Sequence, residues 1–404
     1  MIMRKNLDRL QVELSSVVLF RNVINKDVLK NLRAFLSAVE SSSSDCEKTE
    51  RYCDFVSSLY ERGCDLGAYI EDSLRCDDNS YVRLYAAGRE IPPVMEECFR
   101  REMSIFTLLT EITPEDLLSF ASLEEELPRF ENVKRDMKEV MEDSLRNSHK
   151  NGYGIYARYG MFRVDENARL IPVLSPDPIS LADLVGYDDE RGKVLSNTRA
   201  LLSCKPAANV LLVGDAGTGK SSTVKAVANE LRGEGIRLIE IRKDQLTMLP
   251  DIMGHIAENP LKFIIFVDDL SFASEDDGFA ALKAILEGSA AAKTPNAVIY
   301  ATSNRRHMVR ETFSAREGDE VHLRDTLEET LSLSARFGLT VLFSKPNKAL
   351  YTKIVTALAE EHGIETDETS LMIQAEAFAL AKGGRSARVA GQFIDSLIVN
   401  SERN

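Results

Sequence analysis

Apolar residues recur at steps of three and four from Leu7 to about Leu145, as in Leu14, Val17 and Val18 and then Val28, Leu29, Leu32, Phe35 and Leu36. That spacing predicts a succession of amphipathic helices. The serine run Ser41 to Ser44 predicts a break between two of them, and further helical segments fall at about 48 to 75, 93 to 110 and 130 to 147. Thr113-Pro114-Glu115-Asp116 has the form of a capped helix start. Between 151 and 178 the pattern gives way to Gly, Tyr, Arg and Pro with short β-branched stretches, which predicts a strand-like connector. Beyond it, apolar runs at 209 to 213, 236 to 241, 262 to 267, 297 to 302 and 339 to 343 alternate with helical spacing. This alternation predicts an α/β fold with a five-stranded parallel sheet and helices on both faces. After Pro346, three helical segments at 347 to 362, 367 to 382 and 386 to 400 predict a small all-helical domain. The expected division is a helical domain over 1–150, a connector over 151–178, an α/β domain over 179–345 and a helical lid over 346–404.

Composition changes this picture little. The 404 residues are 44% hydrophobic, enough for packed cores. Lys and Arg total 50 against 64 Asp and Glu, and the net charge of −14 argues against binding nucleic acid or anionic membrane through bulk charge. A local basic groove for nucleic acid stays open. No stretch approaches 18 uninterrupted apolar residues and Met1 to Leu14 lacks a signal-type apolar run, so a cytoplasmic protein with no membrane segment is expected. Five of the six cysteines (Cys46, Cys53, Cys64, Cys76, Cys98) lie in the N-terminal third without any C-x-x-C pair, and His149 is the only histidine before residue 214. Reduced thiols are expected there, not a zinc site.

Chemistry enters at Gly214-Asp215-Ala216-Gly217-Thr218-Gly219-Lys220-Ser221, which fills every fixed position of G-x-x-x-x-G-K-[ST]. Glycines let successive N–H groups converge on phosphate oxygens at the positive end of the following helix. Lys220 is then expected to reach the β and γ phosphates of ATP, the Ser221 hydroxyl to ligate Mg²⁺, and Ser222 to complete the cradle. Asn209 to Val213 before the loop reads as a buried strand, and Val224, Val227, Ala228 and Leu231 after it as a helix face. The second signal is Phe263-Ile264-Ile265-Phe266-Val267-Asp268-Asp269, a buried strand that delivers two carboxylates at its carboxyl end. Asp268 is expected to hold Mg²⁺ through its water shell and Asp269 to orient the attacking water. An Asp reaches about 1.5 Å less than a Glu, so Glu275 or Asp276 stands as an alternative base.

In the order of these elements, over about residues 179 to 400, the chain resembles the AAA+ ATPases. The resemblance implies a P-loop AAA+ module with a C-terminal helical lid. It implies adenine packing against Leu184-Val185-Gly186-Tyr187, with Val185 and Gly186 at the base, and a γ-phosphate sensor at Asn304 or its neighbour Ser303. It also implies an arginine finger at Arg336 in Ser334-Ala335-Arg336-Phe337-Gly338, acting on a neighbouring subunit of a ring or open ring, and a lid arginine at Arg388 or Arg385. More narrowly, Phe-Val-Asp-Asp-Leu-Ser-Phe, Ala-Thr-Ser-Asn-Arg-Arg-His and Leu-Ser-Leu-Ser-Ala-Arg-Phe-Gly-Leu are similar to a bacterial AAA+ family named domain of unknown function 815, whose members are described only as predicted ATPases. Arg305 and Arg306 would line a subunit interface or be exposed charges.

Two departures narrow the function. The loop after the second strand, Arg242 to Pro250, has no aromatic residue of the kind that threading machines use to grip a polypeptide. The Asp-Asp strand end resembles replication initiators and helicase loaders, yet no helix-turn-helix or basic arm follows the lid. The expected protein is an oligomeric ATP hydrolase whose helical N-terminal domain recruits an unidentified macromolecular partner. The alternatives are a nucleotide-gated binding switch with little turnover, or a DNA-linked ATPase. A small-molecule P-loop kinase fits the lid and Arg-Phe-Gly element poorly.

Overall fold

A computed structural model of the chain describes residues 2–123, 126–270, 277–286, 294–304, 336–364 and 367–401. The chain divides into two compact units, residues 1–158 and 159–404.

The first unit is helical among its described residues, with α1 (Ile2–Ser15), α2 (Arg21–Ile24), α3 (Asp27–Glu40), α4 (Asp45–Tyr60), α5 (Leu66–Arg75), α6 (Ser80–Ala86), α7 (Pro93–Leu109), α8 (Pro114–Ala121), α9 (Met137–Arg146), α10 (Ser148–Asn151) and α11 (Ile155–Arg158). Its core is one cluster that includes Leu14, Phe20, Leu32, Phe35, Tyr52, Phe55 and Phe106, with Tyr81 stacked on Phe99 at 4.4 Å between ring centroids. The serine run ends one helix and caps the next, because the Ser44 hydroxyl accepts from Glu47 N–H at 3.3 Å. Thr113 and Asp116 form a reciprocal capping box at the start of α8. The carboxylate of Glu102, buried on α7, accepts from the N–H groups of Val18, Leu19 and Phe20 at 2.6 to 3.0 Å and so ties down the turn before α2.

The predicted helix over 48 to 75 is two helices. The chain breaks after Tyr60 and restarts at Leu66, because Asp65 caps α5 and also meets a distant segment. Its carboxylate accepts from Ala68 N–H and Val133 N–H, both at 3.2 Å, and from Arg135 Nη2 at 2.8 Å. Leu66 N–H donates to the Glu131 carbonyl and Glu131 N–H to the Cys64 carbonyl. Residues 130 to 136 are therefore not helical, and the helix predicted over 130 to 147 begins only at Met137. Burial raises the Asp65 carboxyl, but the hydrogen bonds from Arg135, Ala68 and Val133 outweigh it and hold it below the ordinary aspartate range. A carboxyl depressed in the folded state contributes stability above its unfolded pKa, and that contribution is lost as pH falls through the folded value. Asp65→Ala should lower unfolding stability by about 2 kcal/mol at neutral pH, from the lost cap and the lost Arg135 and Val133 hydrogen bonds, although Arg135 keeps Glu71 as a partner. Urea midpoints should show that gap narrowing below about pH 4.

The second unit is built on a single sheet of seven strands: β1 (Met161–Val164), β2 (Leu170–Pro172), β3 (Val210–Gly214), β4 (Ile236–Ile241), β5 (Lys262–Val267), β6 (Ala297–Asn304) and β7 (Leu339–Phe343), in the order β2-β1-β4-β5-β6-β3-β7. The five predicted strands are contiguous and parallel. The sheet is larger than expected because the connector adds two strands, β1 parallel to β4 and β2 antiparallel to β1. Along β3, β4 and β5 both alternating sets of side chains are buried, so the sheet is covered on both faces. Helices α12 (Asp188–Leu202) and α13 (Lys220–Glu230) supply Val194, Leu201, Val224 and Val227 to a core with Leu212, Phe266, Tyr300 and Phe343. Helix α14 (Leu249–Ile256) and helix α15 (Asp277–Leu286) follow β4 and β5. The C-terminal helices α16 (Lys348–Glu361), α17 (Glu368–Ala381) and α18 (Ala387–Ser401) share a core of Tyr351, Ile354, Val355, Leu371, Phe393 and Ile394, against which Val185 packs.

Candidate functional site

Strand register sets the site. Gly214 ends β3 level with Asn304 on β6 and with Phe343 on β7, while β5 ends at Val267, so that Asp268 and Asp269 emerge beside them. All of these lie at the carboxyl edge of a parallel sheet, where loops leave room for a ligand. The chain leaves β3, turns through Asp215 to Gly219 and enters α13 at Lys220. Gly219 caps that helix at φ +89°, a backbone shape that a side chain would oppose. The Thr218 hydroxyl stiffens the turn by donating to the Asp215 carbonyl at 2.9 Å.

Lys220 is 6% exposed. Its Nζ donates to the carbonyls of Gly214 (2.9 Å) and Asp215 (2.8 Å) and to Asn304 Oδ1 (3.2 Å). Burial lowers its pKa, against the pull of Asp215, Asp268 and Asp269. Ser221 Oγ donates to Asp268 Oδ1 at 2.6 Å. Asn304 Nδ2 donates to Asp269 Oδ1 at 2.7 Å, so one amide side chain links the lysine to the second carboxylate. Asp269 has φ +51°, which is costly for a residue with a Cβ, and its N–H is held by Thr302 Oγ1 at 2.9 Å. The same hydroxyl, in a 1% exposed residue, donates to Asp268 Oδ1 at 2.6 Å. Thr302 thus orients both acids. Sequence reasoning passed over it. The available signal was a β-branched hydroxyl two residues before a polar strand end.

These groups face a cavity of about 480 Å³, with Ala216, Gly217, Gly219, Lys220, Ser221, Ser222, Asp268, Asp269, Thr302, Asn304 and Arg388 on its walls. Beside it is a smaller, mostly apolar cavity of about 190 Å³ lined by Val185, Gly186, Tyr187, Thr218, Phe343, Ile354 and Leu358. Leu184, Gly219 and Ala387 border both. Gly186 lies against α16: a Cβ there would stand 2.3 Å from Leu350 Cδ1, and its φ is +77°. Tyr187 packs on Phe343 and donates its hydroxyl to the Ser344 carbonyl at 2.6 Å. Arg388, at the start of α18, donates its N–H to the Gly217 carbonyl at 3.2 Å.

The members of two pairs differ in position. Ser303 is buried at 1% exposure, whereas Asn304 reaches the cavity. Arg385 is paired with Glu376 at 2.9 Å, whereas Arg388 is on the cavity wall. Arg336 is not brought to this cavity: it precedes β7, whose amino end is level with Val210 at the opposite edge of the sheet. Glu275, Asp276, Arg305 and Arg306, together with Ser334 and Ala335, lie outside the described residues.

Residues 157–401 match the family described as Protein of unknown function (DUF815). The chain belongs to that family. The matched span holds every wall of both cavities in this DUF815 member, whereas nearly all of the helical N-terminal unit lies before it. No curated protein matches the chain. No helix among the described residues is long and apolar enough to cross a membrane.

Proposed function

We propose that this chain is an AAA+ ATPase that binds and hydrolyses Mg·ATP. The observation that carries the reading is the convergence of Lys220, Ser221, Asp268, Asp269, Asn304 and Arg388 on one cavity, beside an apolar one with which it shares Leu184, Gly219 and Ala387. A nucleotide has the same division, with a flat base at one end and charged phosphates at the other. The base enters between Val185-Gly186-Tyr187 and the lid residues Ile354 and Leu358, and the triphosphate lies along the N–H groups at the start of α13. Lys220, desolvated and close to three carboxylates, is drawn to the β and γ phosphates, and Arg388 approaches from the lid.

Ser221 Oγ and Asp268 Oδ1 are oxygens already in contact, which suits a small hard cation that takes few protein ligands and completes its octahedron with phosphate and water. Among the described residues no three His, Cys, Asp or Glu gather as a protein-only cage would require. Bound there, Mg²⁺ neutralises charge on the phosphates. Asp269, held by Asn304 and Thr302, orients a water for in-line attack. Thr302→Val keeps the shape of the buried side chain and removes both hydrogen bonds. We expect turnover to fall about 10- to 100-fold, from bonds to charged groups worth roughly 1.5–3 kcal/mol. Thr302→Ser should recover most of it.

Hydrolysis drives assembly or remodelling of a macromolecular partner recruited through the N-terminal unit, in a homo-oligomer. A second reading is supported by Asp269 itself, a short carboxylate held by Asn304: a switch that closes on ATP and releases little phosphate. Calorimetric titration with Mg·ATP, followed by phosphate release over hours, tests both. Absent heat of association overturns the nucleotide site, and binding without release leaves the switch.

A further inference from the structure

The N-terminal unit carries a third cavity, of about 660 Å³, larger than the one at the strand ends. Four segments wall it. Lys26 and Asp27 come from the start of α3, Arg62 from the turn after α4, Tyr69, Asp72 and Ser73 from one face of α5, and Arg158 from the end of α11. Asp72 is paired with Arg158. Lys26 Nζ makes a long contact with the Ser73 carbonyl, at 3.5 Å, and attracts the buried Asp77 carboxyl, but neither Lys26 nor Arg62 forms a close ion pair among the described residues. Elsewhere in the unit cations do find carboxylates, as Arg135 does with Asp65, Arg83 with Asp78 and Lys134 with Glu111.

Two cations without a close ion pair line one recess, which in a chain of net charge −14 runs against the composition. Both retain donors for an oxyanion, and Arg62 offers a planar fork. The Tyr69 hydroxyl lies among the same groups. The lining sums to one net positive charge, from Lys26, Arg62 and Arg158 against Asp27 and Asp72. That balance suits a monoanionic carboxylate better than a phosphate dianion, which the two aspartates repel. Asp27, Arg62, Asp72 and Arg158 are exposed, so the recess is open along its rim to an approaching chain. Its volume is within the roughly 300–1,000 Å³ of ordinary ligand pockets.

We propose that this cleft binds a carboxylate presented by a polypeptide partner, with Lys26 and Arg62 as its anchors. The inference stands apart from the nucleotide reading, since it uses only N-terminal residues and a binding readout. An acidic side chain and a chain terminus offer the same group.

The test is fluorescence anisotropy on the full chain with three labelled Gly-Ser octapeptides. One has two central Glu and an amidated end, one has a free C-terminal carboxylate and no acidic side chain, and one has neither. Binding of at least one charged peptide is expected, with none of the neutral one, and the stronger of the two charged peptides identifies the source. Arg62→Gln and Lys26→Gln should each weaken it about tenfold, and raised salt should weaken it further. Lys134→Gln, which breaks an exposed pair elsewhere, should leave it unchanged. Circular dichroism of each variant separates lost binding from lost folding. The proposal is overturned by no charged-peptide binding up to about 1 mM, by equal affinity of wild type and well-folded Arg62→Gln, or by displacement at lower inorganic phosphate than acetate.

Discussion

Lys220→Ala is expected to remove Mg·ATP binding measurable by calorimetry and to lower phosphate release about 1,000-fold. The side chain is almost fully buried, and its ammonium rests on two backbone carbonyls and Asn304 Oδ1. These direct partners satisfy its protons but carry no full negative charge; burial depresses its pKa even though Asp215, Asp268 and Asp269 nearby pull the other way. A bound triphosphate would put negative charge in direct contact with it. One unit charge at about 4 Å in surroundings of effective dielectric 20 is worth roughly 4 kcal/mol, or about three decades. Lys220→Met keeps most of the apolar stem, so a loss shared by both variants with intact thermal unfolding assigns the effect to charge. Binding within about threefold of wild type in either variant would remove the lysine from the site.

What the sequence revealed and what it concealed follow from the range of the interactions. Strands β4, β5 and β7 coincide with the runs at 236 to 241, 262 to 267 and 339 to 343. β5 does so because a strand buried on both faces is nearly continuously apolar, whereas β7, at the sheet edge, alternates buried and exposed positions and β4 carries Arg237 and Glu240. The connector strands β1 and β2 were visible as strand-like, but their joining the sheet depends on Phe162 pairing with Ile239, far beyond the reach of any local pattern. In the helical unit, Asp65 breaks the long helix because Val133 and Arg135 reach it from nearly seventy residues away, and no local pattern carries that. At the candidate site the glycine-rich octapeptide and the Asp-Asp pair were legible as residue types at fixed spacing. Which neighbour faces the cavity was not. Ser303 and Asn304 separate only once strand parity is known, and Arg385 and Arg388 only once Glu376 is seen to hold the first. Thr302 was hidden for the same reason: its two bonds run to another strand's end.

The distance between Arg336 and its own cavity yields the other large effect. Leu339 is level with Val210, and Phe343 with Gly214, so the five residues of β7 separate the arginine from the cavity edge by about 17 Å of strand. No rotamer spans that interval, and under the proposed function the guanidinium serves the nucleotide of a neighbouring copy. Specific ATPase activity should therefore rise with protein concentration, and Arg336→Ala should be flat and about 1,000-fold slower at high concentration, within the range of arginine fingers in nucleotide hydrolases. Mixing Arg336→Ala with Lys220→Ala gives the decisive result. Each variant is inactive alone for a different reason, yet a junction pairing the intact cavity of the first with the intact arginine of the second is complete. Activity in the mixture above the sum of its parts assigns Arg336 to a site in trans. A strictly additive mixture, with specific activity independent of concentration, withdraws that role and leaves the Lys220 result standing by itself.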